Sequence, residues 1–311
     1  GSLMNLDGSG DMWNTAVGTN SGLSLTNGTL NVLIGGRAGD ALTTGSNNVA
    51  IGFDALGAED EHGGNVAVGY RALKVQNAGT TAYNVAIGRD AGLSVSTGEL
   101  NVLIGAFAGD ALTTGGQNVA VGYEALSSED AGYFNTAVGF RALKIQDAGN
   151  AYNTAVGYHA GLQVSTGVSN TILGGAAADA LTTGSYNVAI GHDALTTEDT
   201  GNKSIAIGWR ALKNQNYNGD AHNVAIGHAA GQVITTGLRN TFVGNLAGDA
   251  LTTGSFNVAF GFEALTSEDT GNKNTAIGHD ALANLNFDGD GLNTAVGFNA
   301  GVQVTTGTKN T

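Results

Sequence analysis

Four pairs of adjacent carboxylates are the residues best suited to chemistry in this 311-residue chain: Glu59 with Asp60, Glu129 with Asp130, Glu198 with Asp199, and Glu268 with Asp269. Two carboxyl groups flanking a glycosidic bond can divide acid, base and nucleophile roles between them. Side chains adjacent on a strand diverge, however, and four evenly spaced copies read as solvated turns rather than one active site. Two loops, NLDGSGD from Asn5 and NFDGDG from Asn286, begin like a calcium loop, but their twelfth positions are Ala16 and Gly297, where a bidentate Glu is needed. With no Cys, the chain excludes disulfides, thiolate zinc sites and a thiol nucleophile. It contains neither GxSxG nor GxxxxGKS, and no His-rich cluster with metal-ligand spacing. The expectation is a chain without catalytic residues, cofactor or metal.

Composition narrows the partners. Twelve Lys and Arg against 26 Asp and Glu leave a net charge of -14, a poor match for phosphate, so no nucleic-acid partner is expected. No apolar run approaches the length of a membrane span, so this segment is not expected to insert. The 51 Gly come with no Pro, which rules out collagen, and a 41% hydrophobic share argues against disorder.

What must position any functional residue is a repeat. Aligned on the Asn that opens NTAVG at Asn14, the sequence holds seventeen units, thirteen of 17 residues, three of 19 and one of 18, the last starting at Asn293. Gly1 and Ser2 read as a tag remnant within a lead-in of residues 1–13. Residues 14–311 read as a single repeat domain, cut inside its eighteenth unit at Asn310 and Thr311. The fifth position is Gly in all seventeen units, from Gly18 to Gly297, which marks a backbone constraint and a corner. The third position is Ala except for Leu33, Leu103, Ile172 and Phe242, and the ninth runs Gly, Gly, Leu, Leu with Ala178 the departure. Four units therefore form one superrepeat.

Positions two to four, such as Val49, Ala50 and Ile51, alternate as a short strand does, and Gly ends it. Stretches such as FRALKIQ have helical character but run under two turns before a Gly. One short strand per coil, each coil covering the last, predicts an all-β parallel β-solenoid with 17-residue coils and an Asn ladder at a corner. The third and fifth positions form a strip of Ala and Gly. Such a strip either packs against other copies, as in a threefold rod, or lies inside a wide single-chain coil.

Two columns carry candidate binding groups. The seventh stacks opposite charges one coil apart, Asp54 with Arg71, Glu124 with Arg141 and Asp193 with Arg210, an inter-coil ladder that favours the correct register. The sixth carries Phe53, Tyr70, Tyr123, Phe140, Tyr158, Trp209, Phe262 and Phe298, with His192, His228 and His279 interspersed. Rings in a row can serve as a platform for sugars or a protein receptor, or can pack between coils. Thr pairs such as Thr43 and Thr44 or Thr113 and Thr114 suggest an ice-binding surface, but acids and Asn interrupt the row in every superrepeat.

Units such as NVAIGFDA, NTAVGYHAG and NVAVGYEAL resemble the head repeats of YadA-type trimeric autotransporter adhesins, and more closely the NTAVGYxAL repeats of phage tail-fibre and other virion structural proteins. The resemblance covers residues 14 to 311. It implies a homotrimeric, left-handed β-roll at a cell or virion surface, extracellular, non-enzymatic, and adhering to a host glycan or protein receptor. These coils are longer than the adhesin type, and no neck motif, heptad stalk or membrane anchor is seen, which favours the phage comparison. A passive structural spacer is the alternative role.

Overall fold

The computed structural model describes residues 1–3 and 11–311. Most of the lead-in, and nearly all of the calcium-like loop from Asn5, lie outside the described residues. The chain divides into two compact units, Gly1–Asn153 and Thr154–Thr311. Each coil contributes one three-residue strand, from β1 (Thr15–Val17) to β8 (Thr136–Val138) in the first unit and from β9 (Thr154–Val156) to β17 (Thr294–Val296) in the second. Within each unit every strand pairs in parallel with the next, and each column meets itself: Thr15 faces Val32, Ala16 faces Leu33 and Val17 faces Ile34. Each unit is thus a parallel β-solenoid of stacked coils. Among the described residues no helix forms, and the FRALKIQ stretch, Phe140 to Gln146, is a run of turns and irregular chain.

Hydrogen bonds along the stack continue beyond the strands. Gly22 N donates to Ala38 O at 3.0 Å, Ser24 N to Asp40 O at 3.1 Å and Thr26 N to Thr43 O at 2.9 Å, so the corners are paired as well as the sheet. The Asn ladder fastens one corner in two directions. Asn31 Nδ2 donates to Gly45 O across its own coil at 2.8 Å, while its Oδ1 accepts from Asn48 N in the next coil at 3.0 Å. A slip of the register by one residue would break these bonds.

The third-position half of the small-residue strip lies inside the single chain, while the fifth-position Gly, such as Gly35 and Gly52, stays half-buried. Ala50, Ala67, Ala86 and the other third-position residues are buried, together with the eighth-position Ala, such as Ala55 and Ala72. The expectation that this strip packs against another copy is therefore corrected, and the physical reason is volume. The coil closes so tightly that only small groups fit between its walls.

The superrepeat is a pattern of volume exchange in this narrow core. A Cβ added at Gly92 or Gly109 would lie 2.7 Å from the Leu103 side chain, so Leu103 occupies the space that Leu takes at the ninth position of other coils, such as Leu126. Phe242 does the same over Gly231 and Gly248, at 2.6 and 2.5 Å. Leu33, Leu103 and Phe242 thus go with a ninth-position Gly in their own coil, and the smaller Ile172 with Ala178.

The fifth-position Gly meets a backbone requirement. Gly105 has φ +133°, and an added Cβ would sit 2.4 Å from the carbonyl oxygen of Gly122 in the next coil. Gly149, by contrast, has φ +66° and open space around it. Gly105→Ala is expected to destabilise by about 3 kcal/mol or more, since both the backbone and the neighbouring coil must shift. Gly149→Ala should lose only about 1–2 kcal/mol, the left-handed penalty alone. Denaturant midpoints of the two variants check this, and equal losses would refute it.

Candidate functional site

The alternation that opens each coil extends past the strand. From Tyr83 to Arg89, the odd-numbered side chains are exposed or half-buried, while Asn84 and Ala86 are buried. The outward face therefore carries the residue before each Asn and then the second, fourth and sixth positions. The second and fourth are Val, Thr, Ile, Leu or Phe in every coil, with no charge among them. Phe260 is 53% exposed and Ile34 37%, values unusual for apolar strand residues with the small Ala beside them buried. The residue before the Asn adds Leu30, Tyr83, Leu100 and Phe134 in the first unit and Tyr186 and Phe256 in the second, all exposed. These residues adopt the left-handed conformation, as at Tyr83 with φ 52° and Phe256 with φ 60°. Their position before the Asn is a signal in the sequence, since it continues the outward parity of the strand.

The sixth column stacks from coil to coil within each unit. Phe53 lies 5.9 Å from Tyr70 and Tyr123 lies 5.4 Å from Phe140, both with planes 14° apart. Trp209 stacks on His228 at 4.6 Å, and His279 lies between Phe262 and Phe298 at 5.1 and 5.2 Å. Tyr158 stacks on His159 of its own coil at 3.9 Å. Arginines cap several rings: Arg210 lies 4.1 Å over Trp209, Arg141 4.9 Å over Phe140, and Arg89 is between Tyr70 and Phe107. Stacking covers one side of each ring, yet all eight predicted rings stay exposed by more than a third, so packing and presentation coexist.

The seventh column forms ion pairs, with one change of partner. Arg141 reaches Glu124 at 2.8 Å and Arg210 reaches Asp193 at 3.4 Å. Asp54 and Arg71 do not pair with each other: Arg71 turns to Asp90 at 3.2 Å, while Asp54 takes Arg37 at 3.3 Å and Lys74 at 3.1 Å. The cause is the neighbouring coils: Arg37 one coil before offers Asp54 a cation and Asp90 one coil after offers Arg71 an acid. Phe107 and His159, or Ala176 and Ala229, stand at those places around the two pairs that form, and the tenth-position Lys74, Lys144 or Lys213 reaches the acid in all three. Lys144 is also the main reason the Glu124 carboxyl is held below the ordinary range. In the fourth superrepeat Asp280 and Ala283 replace both cations, and Asp280 turns to His279 at 3.1 Å. Being partly exposed, such pairs align coils more than they stabilise them, at about 0–1 kcal/mol each.

The acid pairs are not solvated turns. Glu59, Glu129, Glu198 and Glu268 are completely buried at the twelfth position, the core column that holds Leu25, Leu42, Leu112 and Leu181 in other coils. Only the Asp of each pair approaches the surface, and its backbone carbonyl accepts the hydroxyl of a Thr in the preceding coil, as Asp60 does from Thr43 at 3.1 Å and Asp199 from Thr182 at 2.8 Å. Burial pays off through partners from the next coil. Glu198 accepts from Gly201 N at 2.7 Å, from Gln215 Nε2 at 3.0 Å and from Tyr217 N at 3.3 Å. The loop from Asn286 likewise serves the stack: Phe287 N donates to Glu268 at 3.2 Å.

Burial pushes the carboxyls of Glu59, Glu129, Glu198 and Glu268 above the ordinary range, and those of Asp179 and Asp249 as well. Asp110 is raised to about 6, first by burial and then by Glu124 and Asp90 nearby. Raised acids hold protons in the folded chain that the unfolded chain releases, so this contribution is complete below about pH 4 and is lost as pH climbs through the folded values. The denaturation midpoint is therefore expected to be higher near pH 5 than near pH 7.5. Asp110→Asn should narrow that difference and raise the midpoint at the higher pH; a midpoint that climbs from pH 5 to 7.5 would contradict the assignment.

Among the described residues no helix is long and apolar enough to cross a membrane. No protein-family model matches the chain, and no curated protein sequence matches it, so its role rests on the geometry above.

Proposed function

We propose that this chain is a segment of a non-enzymatic fibrous attachment protein, a homotrimer of the phage tail-fibre or adhesin-head kind at a virion or cell surface. Its repeated side chains engage a host glycan or protein receptor multivalently. The observation that carries this reading is the outward face: an uncharged sheet of Val, Ile and Thr, coil after coil, with exposed rings along the sixth-position margin and at intervals on the other, where Lys203, Arg239 and Lys273 also stand. Contiguous apolar area of this kind is a feature of interfaces rather than of free surface. Three copies with these faces turned inward would cover the sheet and leave the sixth-column rings near the seam, repeated in every superrepeat and every subunit. Many weak contacts on one stiff scaffold then add up to strong attachment.

The absence of charge on the sheet face and the burial of the four Glu both support a non-enzymatic role, because a substrate cannot reach a carboxylate in the core. The ice-binding alternative draws no support from the Thr pairs. The first hydroxyl of the pair donates to the next coil's backbone, as at Thr113 to Asp130 O and Thr252 to Asp269 O, and is not presented to water as a free array.

Solution mass tests the assembly. A trimer gives about 93 kDa, three times the 31.1 kDa chain, and Ile34→Glu with Ile87→Glu on the outward face should reduce it to the single chain. A wild-type mass of one chain would remove the trimer. Attachment is tested on a glycan array: binding by the rod should fall by about tenfold or more when Tyr70, Phe140 and Trp209 are changed to Ala. Binding that is absent in the wild type leaves the passive spacer as the role.

A further inference from the structure

The buried acid column breaks its own pattern once. In the later superrepeats the residue three beyond the Glu is Gly132, Gly201 or Gly271, and an added Cβ there would lie 2.3 to 2.5 Å from the carboxyl carbon. In the first superrepeat that residue is His62. Its backbone N–H still donates to Glu59 Oε1 at 3.1 Å, but a side chain now occupies space that the carboxylate uses elsewhere.

The displaced partners are identifiable. Gln146 and Gln215 each donate to the equivalent Glu at 3.0 Å, whereas Gln76 Nε2 and Glu59 Oε2 are both buried without a hydrogen-bond partner. His62 Nδ1 is buried without a hydrogen bond too, 3.7 Å from Glu59 Oε1, too far to share a proton well. Glu59 itself is 0% exposed. Three orphaned polar atoms in one buried place would cost several kcal/mol in total if nothing joined them, at about 1–3 kcal/mol each. Asp60 adds a third ligand group, and one ligand atom from each of Glu59, Asp60 and His62 lies within 4.8 Å of the others.

We propose that Glu59, Asp60 and His62 form a binding site for a divalent transition-metal ion, one per chain. One imidazole nitrogen and two carboxylate oxygens suit zinc, with water completing the shell. That water would offer Gln76 Nε2 the acceptor it lacks. A cleft of about 350 Å³, lined by His62, Glu61, Thr44, Ser46 and Tyr83, opens beside His62, the one ligand of the three that lines it. The acids grouped in the second superrepeat, Glu129, Asp130 and Asp147, have no imidazole; Glu129 Oε1 is also buried without a partner, but Oε2 accepts from Gln146 and Ala148. The site is therefore specific to the first superrepeat, and all three ligands come from its third coil, whose return segment the ion would brace. It does not depend on the attachment reading.

Calorimetric titration of the metal-free chain with zinc chloride tests it, with cobalt absorption as a second readout. One zinc per chain is expected, bound tighter than about 10 μM, with a rise in the melting temperature. His62→Gly restores the residue of the other superrepeats, so it should keep the β-rich circular dichroism while zinc affinity falls about 100-fold. Glu59→Gln should weaken binding about tenfold or more. Wild-type binding that is absent, or that is unchanged in His62→Gly, overturns the proposal.

Discussion

The structure depends on how closely one coil lies on the next. At the fifth position the carbonyl of each Gly sits where the Cβ of the Gly before it would be, so no other residue can occupy that corner without lifting the coils apart. Once that contact is made, the rest of the backbone has little freedom. Strand, corner and return all donate and accept along the axis, and the Asn ladder ties the ends of each coil together while reaching into the next. Left-handed residues at the seventh position and before the Asn are held because their N–H groups are bonded in the stack, as Arg71 N is to Phe53 O at 2.9 Å and Leu100 N to Ala82 O at 2.8 Å. Their strain is distributed over many coils rather than stored at one.

The same closeness decides which side chains go inside. A coil this narrow has room for Ala at the third position and not for the Val and Ile that flank it, so the larger apolar residues are turned outward. That inversion makes the outward sheet the face most in need of cover and places the ring columns at its margins. It also explains why a large residue at the third position takes space left by glycine at the ninth: Leu103 fills that of Gly92 and Gly109, and Phe242 that of Gly231 and Gly248. The four-coil superrepeat is the period of that exchange.

The buried Glu column shows how a polar group can take a core position in such a fold. At Glu198 the next coil supplies Gln215 and a backbone N–H, and Gln215 in turn accepts from Asn223 Nδ2 at 2.9 Å, a network that crosses three coils. A polar core contact of this kind is directional and can be satisfied in one register only, whereas Leu on Leu tolerates small slips. At Glu59 the network is opened by a single side chain, His62, and the orphaned atoms that result are the physical basis for a metal ion there.

Much of this was legible in the sequence, and the reason is repetition. Seventeen copies of one coil turn each column into a measurement of its environment, so the invariant Gly, the Asn ladder, the strand at positions two to four and the stacked solenoid all follow from the residues. Facing did not. Alternation separates Ala50 from Val49 and Ile51 but does not say which side is the interior, and the usual preference for burying the larger residue points the wrong way. Coil width decides that, and width is a property of the closed backbone. For the same reason the Glu of each acid pair looks solvated beside its Asp, though it stands in the Leu column, and Arg71 looks destined for Asp54 until the fold brings Arg37 and Lys74 to that acid and Asp90 to Arg71. The sequence by itself determined the period, the strand and the register, because these depend on neighbours a fixed number of residues apart. Only the tertiary structure decided inside from outside and partner from bystander, because these depend on the space that remains once the coil has closed.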